Sequence, residues 1–538
     1  MKDRTVIQWD KNDLETMRLM KVDVLALGML AAVQKCLNDL STLSNDTFKL
    51  QDIPQHDDPK VYKMLQNAQS VGLFQVESRA QMNMLPRLHP TTFYDLVVQV
   101  AIVRPGPIHG DMVHPYLKRK HGLEKVDVPL KSMEPILART FGVPIFQEQV
   151  IALAMMAASF SGDEAEQLRR SMASWKKRGH MHFLQKKLHD NLLKQGVKEE
   201  YITRLNRQIE GFGEYGFPES HAASFALIVY YSAWLKCYHP AIFFCALLNS
   251  QPMGFYQPWQ LIQDAKQHGV EFLECNVNDS QWDHEVQGLT DKHTSLSNSP
   301  HTVQLGFCLV KGLKKDNIQA LINNRPSQGF QSINHVLNSG PLNKHDIQVL
   351  SAAHCFKCFN ENRYENRWQS QAKGYYSGLF YEQEASLTEH ESLNTQPSRI
   401  DNLIEDYNAT GVLLNDHPMD YLRDHPILQD CIKAQDLIHM THKHEGYVAG
   451  LVISRQRPKT SAGVTFVTLE DESGSINLVV WLDQATRQLK ELTQSRMLKV
   501  YGCVDKDPSS KVVHFIAYRL FDISEELNEW KNPSRDFH

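Results

Sequence analysis

GFGEYGFPESHAASFALIVYYSAWLKCYHP, residues 211–240, sets the frame for the rest of the chain. Its glycines and Pro218 spell a tight loop. From about Ser220 the run is strongly apolar, and it stops before Pro240. A segment of that length with apolar residues all round reads as a helix buried on every side, which needs a large helical body around it. His221 falls in the first turn, where free backbone N–H groups and the helix dipole favour an anion. A satisfied helix-start histidine is the commoner alternative.

Outward from this helix, the pattern from Met29 to about residue 285 is mostly helical, broken by signals such as RPGP at 104–107. SGDEAEQLRRSMASWKKRGHMHFLQKK, residues 161–187, opens with Ser161 and Glu164 at capping-box spacing and has no acid from Gln167 to Lys187. Arg169, Arg170, Lys176, Lys177 and Arg178 concentrate one sign of charge there, which suits a phosphate-bearing ligand or a solvated basic face. Upstream, KVDVLALGML (21–30) reads as a strand followed by a turn at Gly28, with Asp23 alone in an apolar run. A buried carboxylate needs a counter-ion or a metal, whereas a capping or solvated one does not.

Downstream, residues 286–303 are polar and rich in Ser and Thr, and read as an insertion or linker. LVKGLKKDNIQALINNR (309–325) reads as two short helices around a glycine turn. A helix-hairpin-helix of this kind, with Lys311, Gly312, Lys314 and Lys315 at the turn, presents backbone N–H groups to DNA phosphates. Residues 361–410 read as a flexible connector. From Gly446 to Ile523, five segments rich in Val, Ile and aromatics are divided by turns, and QATRQLKELTQ (484–494) lies between the third and fourth. That order is the pattern of an OB barrel. Arg455, Arg457 and Lys459 beside Phe466 and Trp481 offer the cations and aromatic platforms that single-stranded nucleic acid requires. The fold class expected is therefore multidomain α+β: a mainly helical body, a helix-hairpin-helix module and a C-terminal OB β-barrel.

The bulk numbers are compatible with this. A chain of 538 residues has room for three or four domains, and 42% hydrophobic with 22% charged residues is ordinary for a globular protein. No apolar run reaches membrane-span length, and MKDRTVIQWDKNDLE lacks the apolar core of a signal peptide, so a cytoplasmic protein is expected. Nine scattered cysteines suit a reducing compartment. Cys355 and Cys358 form the one CxxC, beside His354, without a second pair to complete a zinc site. A net charge of −5 rules out a global coat of basic charge and leaves a local footprint open.

Taken in order, KVDVLALG, VGLFQVESRAQM (71–82), VRPGPI (103–108), LRR (168–170), GFPESHAASFAL (216–227) and the hairpin-plus-OB tail resemble the bacterial C-family DNA polymerases, relatives of the polymerase III alpha subunit. The resemblance covers nearly the whole chain. It is nearest to the error-prone, damage-inducible branch. Glu219 stands where replicative members carry Lys, the chain ends soon after the barrel at SRDFH, and YYSGLF (375–380) lacks the leading Gln of a good clamp-binding peptide.

The resemblance implies roles. Asp23 matches a palm carboxylate, catalytic and Mg²⁺-binding. Lys21, Arg169 and Arg170 match groups that hold the incoming triphosphate, and His221 a nucleotide-contacting residue of the fingers. The domains implied are a palm edge (1–28), fingers (29–285), a helix-hairpin-helix module (286–360), a connector (361–445), an OB domain (446–523) and a tail (524–538). The function implied is error-prone DNA synthesis across damage. Its partners are primer-template DNA, deoxynucleoside triphosphates, other mutagenesis proteins and, indirectly, the sliding clamp, with no membrane. Two-metal chemistry needs several carboxylates. The Asp-x-Asp pair that supplies two of them in the family lies well upstream of the palm strand, and only 22 residues precede Asp23. Asp10 and Asp13 read as caps, and Asp505-Lys506-Asp507 as a barrel hairpin. The expectation is a C-terminal portion that does not polymerise alone. The alternative is a non-catalytic module that grips primer-template and recruits partners.

Overall fold

The computed structural model describes the chain apart from residues 1–4, 6, 21, 23, 55–56, 105–106, 108–110, 158–159, 164–179, 213–216, 255, 292–293, 340–341, 372–395, 415–416, 458–462, 507–512, 528–534 and 538.

The helix expected near 220 runs Glu219–Tyr238. Pro218 precedes it, and Pro240 opens the next helix, Pro240–Leu248, where a missing N–H costs nothing. The helix lies against Phe93–Ile102, whose start is fixed by a reciprocal box between Thr92 and Asp95. Helices Leu27–Ser44, Pro59–Gln66, Arg79–Leu88, Val113–Lys120, Gln147–Ala157, His180–Lys194, Glu199–Phe212 and Pro258–Gln267 join them, and one continuous apolar core runs through the body. At its centre the Lys236 ammonium is fully buried, 2.6 Å from Asp264 and donating to the Val71 carbonyl at 2.8 Å.

Three expectations need correction. Residues 22 and 24–26 form no strand, and Gly28 lies inside the Leu27–Ser44 helix. A strand needs a hydrogen-bonded neighbour, and among the described residues none lies beside this stretch. Gly28 is small for packing: a Cβ there would stand 2.9 Å from Met253 Cβ. The stretch is instead an open apolar strip, with Trp9, Met20, Val22, Val24, Leu25 and Leu27 all exposed.

The polar stretch 286–303 is not a free linker. β1 (Glu271–Leu273), β2 (Glu285–Val286) and β3 (Thr302–Gln304) make a small sheet with β3 central, parallel to β1 and antiparallel to β2. The region 361–410 is not uniformly flexible. Helices Arg363–Gln371 and Arg399–Thr410 are held together by buried Arg363, paired with Asp406, and by Arg367, paired with Glu405.

β4 (Cys431–Ile432) leads into the barrel strands β5 (Glu445–Gln456), β6 (Thr465–Asp471), β7 (Gly474–Val480), β8 (Met497–Lys506) and β9 (Val513–Asp522). Their order is β5-β6-β7-β9-β8, and β8 returns to β5, closing a five-stranded barrel. Helices Leu482–Arg487 and Leu489–Gln494 fall between the third and fourth strands, as the OB pattern requires. Val448, Val452, Val467, Leu478 and Phe515 fill the interior. Leu403, Tyr407, Met419 and Leu422 cover the outside of the barrel at Ala449, Leu451 and Met497. Trp259 packs against both this outer layer and the helical core.

Candidate nucleotide and nucleic-acid interface

The start of the Glu219–Tyr238 helix carries a dense cluster. The Glu219 backbone N–H donates to Glu148 Oε2 at 2.9 Å, so a carboxylate of the chain itself already meets this helix end. The Glu219 side chain accepts from the Tyr94 hydroxyl at 2.9 Å and lies 3.4 Å from Arg139 Nη1. The Arg139 guanidinium stacks 4.0 Å from the Tyr94 ring centroid. Burial, and after it the Glu219 carboxylate, push the Tyr94 phenol pKa up. The repulsion that a lone Glu219 would exert on phosphates is therefore offset locally by Arg139. Two residues on, the His221 ring lies between Phe217 (5.0 Å) and Phe225 (4.2 Å), and Arg104 covers the Phe217 ring at 4.5 Å. His221 is half-buried.

The other nucleotide-binding residues suggested by resemblance, Lys21, Arg169 and Arg170, lie outside the described residues, as does Asp23. Asp10 and Asp13 accept from each other's backbone N–H at 2.9 and 3.1 Å, a reciprocal cap on Lys11–Thr16. Among the described residues no group of three or more His, Cys, Asp or Glu could hold a metal ion. Cys355 is buried, its thiol pKa pushed up by a hydrogen bond with Cys275 and by burial, while Cys358 faces the surface.

At the hairpin, the first expected helix is a single 3₁₀ turn, Phe307–Leu309, and the second is Lys315–Asn323. Gly312 has φ +93, which a side chain disfavours. A Cβ there would also sit 3.3 Å from His345 Nε2. Lys314 and Lys315 are exposed at the start of their helix, and Lys344 and His345 are exposed at the start of the next one, beside the glycine turn. The sequence reading missed this second pair, because the turn that brings it close is tertiary. Lys311 behaves differently. Its ammonium donates to the carbonyls of Tyr407 (3.3 Å) and Asn408 (3.1 Å), capping the Arg399–Thr410 helix. Lys311 therefore ties the hairpin to the layer over the barrel.

On the barrel, Arg457 and Trp481 are exposed, the latter by 54%, and Lys459 and the Asp507 end of the hairpin lie outside the described residues. Arg455 needs correction. It is buried, and its guanidinium donates to the carbonyls of Leu492 and Ser495. A bulge between Val452 and Ser454 adds one residue to β5 and turns Arg455 to the side of Val467, a core residue. A face the sequence reading passed over is aromatic: Tyr447 and Tyr501 lie 5.1 Å apart, Tyr501 and Tyr518 6.0 Å, and Arg519 covers Phe521 at 5.0 Å. β5 and β8 carry one aromatic each, Tyr447 and Tyr501, and those of β9 fall three residues apart at Phe515, Tyr518 and Phe521, so no strand-period signal announced this face. The barrel also touches the helical body, where Asn83 meets His514 at 3.5 Å and Arg79 donates to Thr468 Oγ1.

Three family profiles match in the order of these parts. The finger domain of the bacterial DNA polymerase III alpha subunit matches residues 29–196, a helix-hairpin-helix motif 269–366, and an OB-fold nucleic acid binding domain 447–521. The whole chain is 56% identical to an error-prone DNA polymerase of Hahella chejuensis over 539 aligned positions, which are 51% of that protein. The chain is similar over its full length to error-prone DNA polymerases. Those from Vibrio campbellii (48% identical) and Methylococcus capsulatus (47% identical) likewise align with all of it, over 51% and 52% of their own lengths. The chain thus spans about half the length of the curated relatives it matches, and corresponds to their C-terminal half. The finger profile stops at 196, yet the Glu219–Tyr238 helix shares one apolar core with the matched region. No helix among the described residues is long and apolar enough to cross a membrane.

Proposed function

We propose that this chain is the nucleotide- and DNA-gripping half of an error-prone DNA polymerase that adds deoxynucleotides across damaged template. The observation that carries the reading is the whole-chain match to relatives bearing that name, with finger, hairpin and OB parts in the same order. In this reading His221, Lys21, Arg169 and Arg170 meet the incoming triphosphate. Gly312, Lys314 and Lys315, joined by Lys344 and His345, hold duplex phosphates through charge and backbone N–H groups. Arg457, Lys459 and the exposed barrel aromatics meet unpaired template. Asp23 is one carboxylate of a Mg²⁺ site whose other ligands come from outside this chain. Mg²⁺ supplies charge neutralisation at the primer hydroxyl and the pyrophosphate. The apolar strip from Trp9 to Leu27 is where the remaining half packs. Other mutagenesis proteins and the clamp are partners of the assembled enzyme, which works in the cytoplasm.

A second reading is a non-catalytic DNA-gripping module, favoured by the helix-hairpin-helix and OB-fold matches, which describe binding parts. Primer extension with Mg²⁺ and four deoxynucleotides, beside a primer-template binding assay, separates the two. The chain alone is expected to bind without extending, and extension is expected when the upstream half of a relative is joined to it, lost again in Asp23→Ala. Binding with no extension in the joined protein would leave the module reading in place. Failure to bind primer-template would remove both.

A further inference from the structure

Arg139 is 65% exposed, yet it is not a free surface arginine. Its guanidinium is laid on the Tyr94 ring at 4.0 Å and held by Glu219 at 3.4 Å, while the Tyr94 hydroxyl donates to the same Glu219 oxygen at 2.9 Å. Three side chains from three separate segments thus fix one cation. An exposed ion pair alone has little energetic reason to persist, because two long side chains lose entropy to form it. Stacking on an aromatic face removes much of that freedom beforehand. Glu219 spends one oxygen on both partners, and a guanidinium has five donors, so the pair leaves Arg139 able to bridge to a second anion. The carboxylate that holds the cation is that of Glu219, in the first turn of the Glu219–Tyr238 helix and two residues before His221.

Resting on the nucleotide-site reading above, we propose that Arg139 is a further triphosphate-binding residue, and that Glu219 and Tyr94 are the positioning residues that hold it. The negative charge at 219 then serves to aim a cation from a neighbouring segment. Position 219 carries the acid and position 139 the base. Arg139 contributes to the phosphates and nothing to the base or sugar.

The test is equilibrium binding of deoxyadenosine triphosphate with Mg²⁺ to the chain on primer-template, with deoxyadenosine monophosphate as the comparison. Arg139→Ala is expected to weaken triphosphate binding by about ten-fold, the scale of one charge-assisted hydrogen bond, and to leave the monophosphate unchanged. The double variant Arg139→Ala with Glu219→Lys, which moves the cation to the other position, is expected to recover most of the loss. An unchanged triphosphate affinity in Arg139→Ala, or a double variant no tighter than the single one, overturns the proposal while leaving the nucleotide site standing. If the unmodified chain binds triphosphate no better than monophosphate, the nucleotide-site reading falls and takes Arg139 with it. A structural role for the pair would lower thermal stability without separating the two nucleotides.

Discussion

Arg455 Nε donates to the Leu492 carbonyl at 2.5 Å, so a barrel strand is pinned to the end of the helix that crosses between the third and fourth strands. Arg455→Ala would leave the carbonyls of Leu492 and Ser495 without their charged donor. A loss of about 2–3 kcal/mol in urea unfolding is expected, because hydrogen bonds to charged groups are worth about that much. Arg457→Ala, at an exposed position, is expected to shift stability by less than about 0.5 kcal/mol and to reduce affinity for single-stranded DNA instead. Equal effects of the two changes on DNA affinity would contradict this division.

Arg455 also marks how far the sequence could be read. Alternation along β5 puts it outside, and it takes one inserted residue at the bulge to bring it in, a feature no residue pattern announces. The Glu219–Tyr238 helix was legible because its apolar length and two prolines are local signals. The five barrel strands were legible because their Val, Ile and aromatic content is divided by turn residues. The strand expected at 21–28 failed because strands are made by neighbours. β2 and β3, two and three residues long, are too short to carry a period of their own. The pairing of Glu219 with Arg139 joins residues 80 apart in the chain, so the sequence reading saw an isolated acid where the fold has a neutralised one.

Lys236 and Asp264 form the most enclosed ion pair of the helical body. Removing one partner strands a buried charge. Lys236→Ala is expected to cost about 3–5 kcal/mol, whereas Lys236→Met combined with Asp264→Leu should cost much less. Chemical denaturation of the three proteins checks the order.

Glu77 gives a pH dependence. Burial, against the weaker opposing pull of a Gly72 hydrogen bond and the Lys236 charge, raises its pKa from 4.5 to about 7. The folded chain therefore holds a proton that the unfolded chain releases between those values, and stability falls as pH rises through that window. Glu77→Gln removes the dependence. The variant's melting temperature should gain on that of the unmodified chain steadily from pH 4.5 to 7, and a constant difference across the window would count against the assignment.

The open apolar strip predicts a surface-dye signal. Met20 is 87% exposed and Val24 68%, within a run of apolar side chains larger than single surface residues require. The isolated chain should enhance the fluorescence of anilinonaphthalene sulfonate, and joining it to the upstream half of a relative should suppress the enhancement. Met20→Ser with Val24→Ser should lower the signal of the isolated chain without lowering its melting temperature.

Trp259 has a calorimetric consequence. It packs against the core of the helical body on one side and against the layer over the barrel on the other. Heat that loosens either side strips contacts from the same indole, so the two cannot melt as strangers. Their excess heat should merge into one peak, and trimming that single ring to alanine should broaden it, with the Arg79 and Asn83 contacts still joining the two.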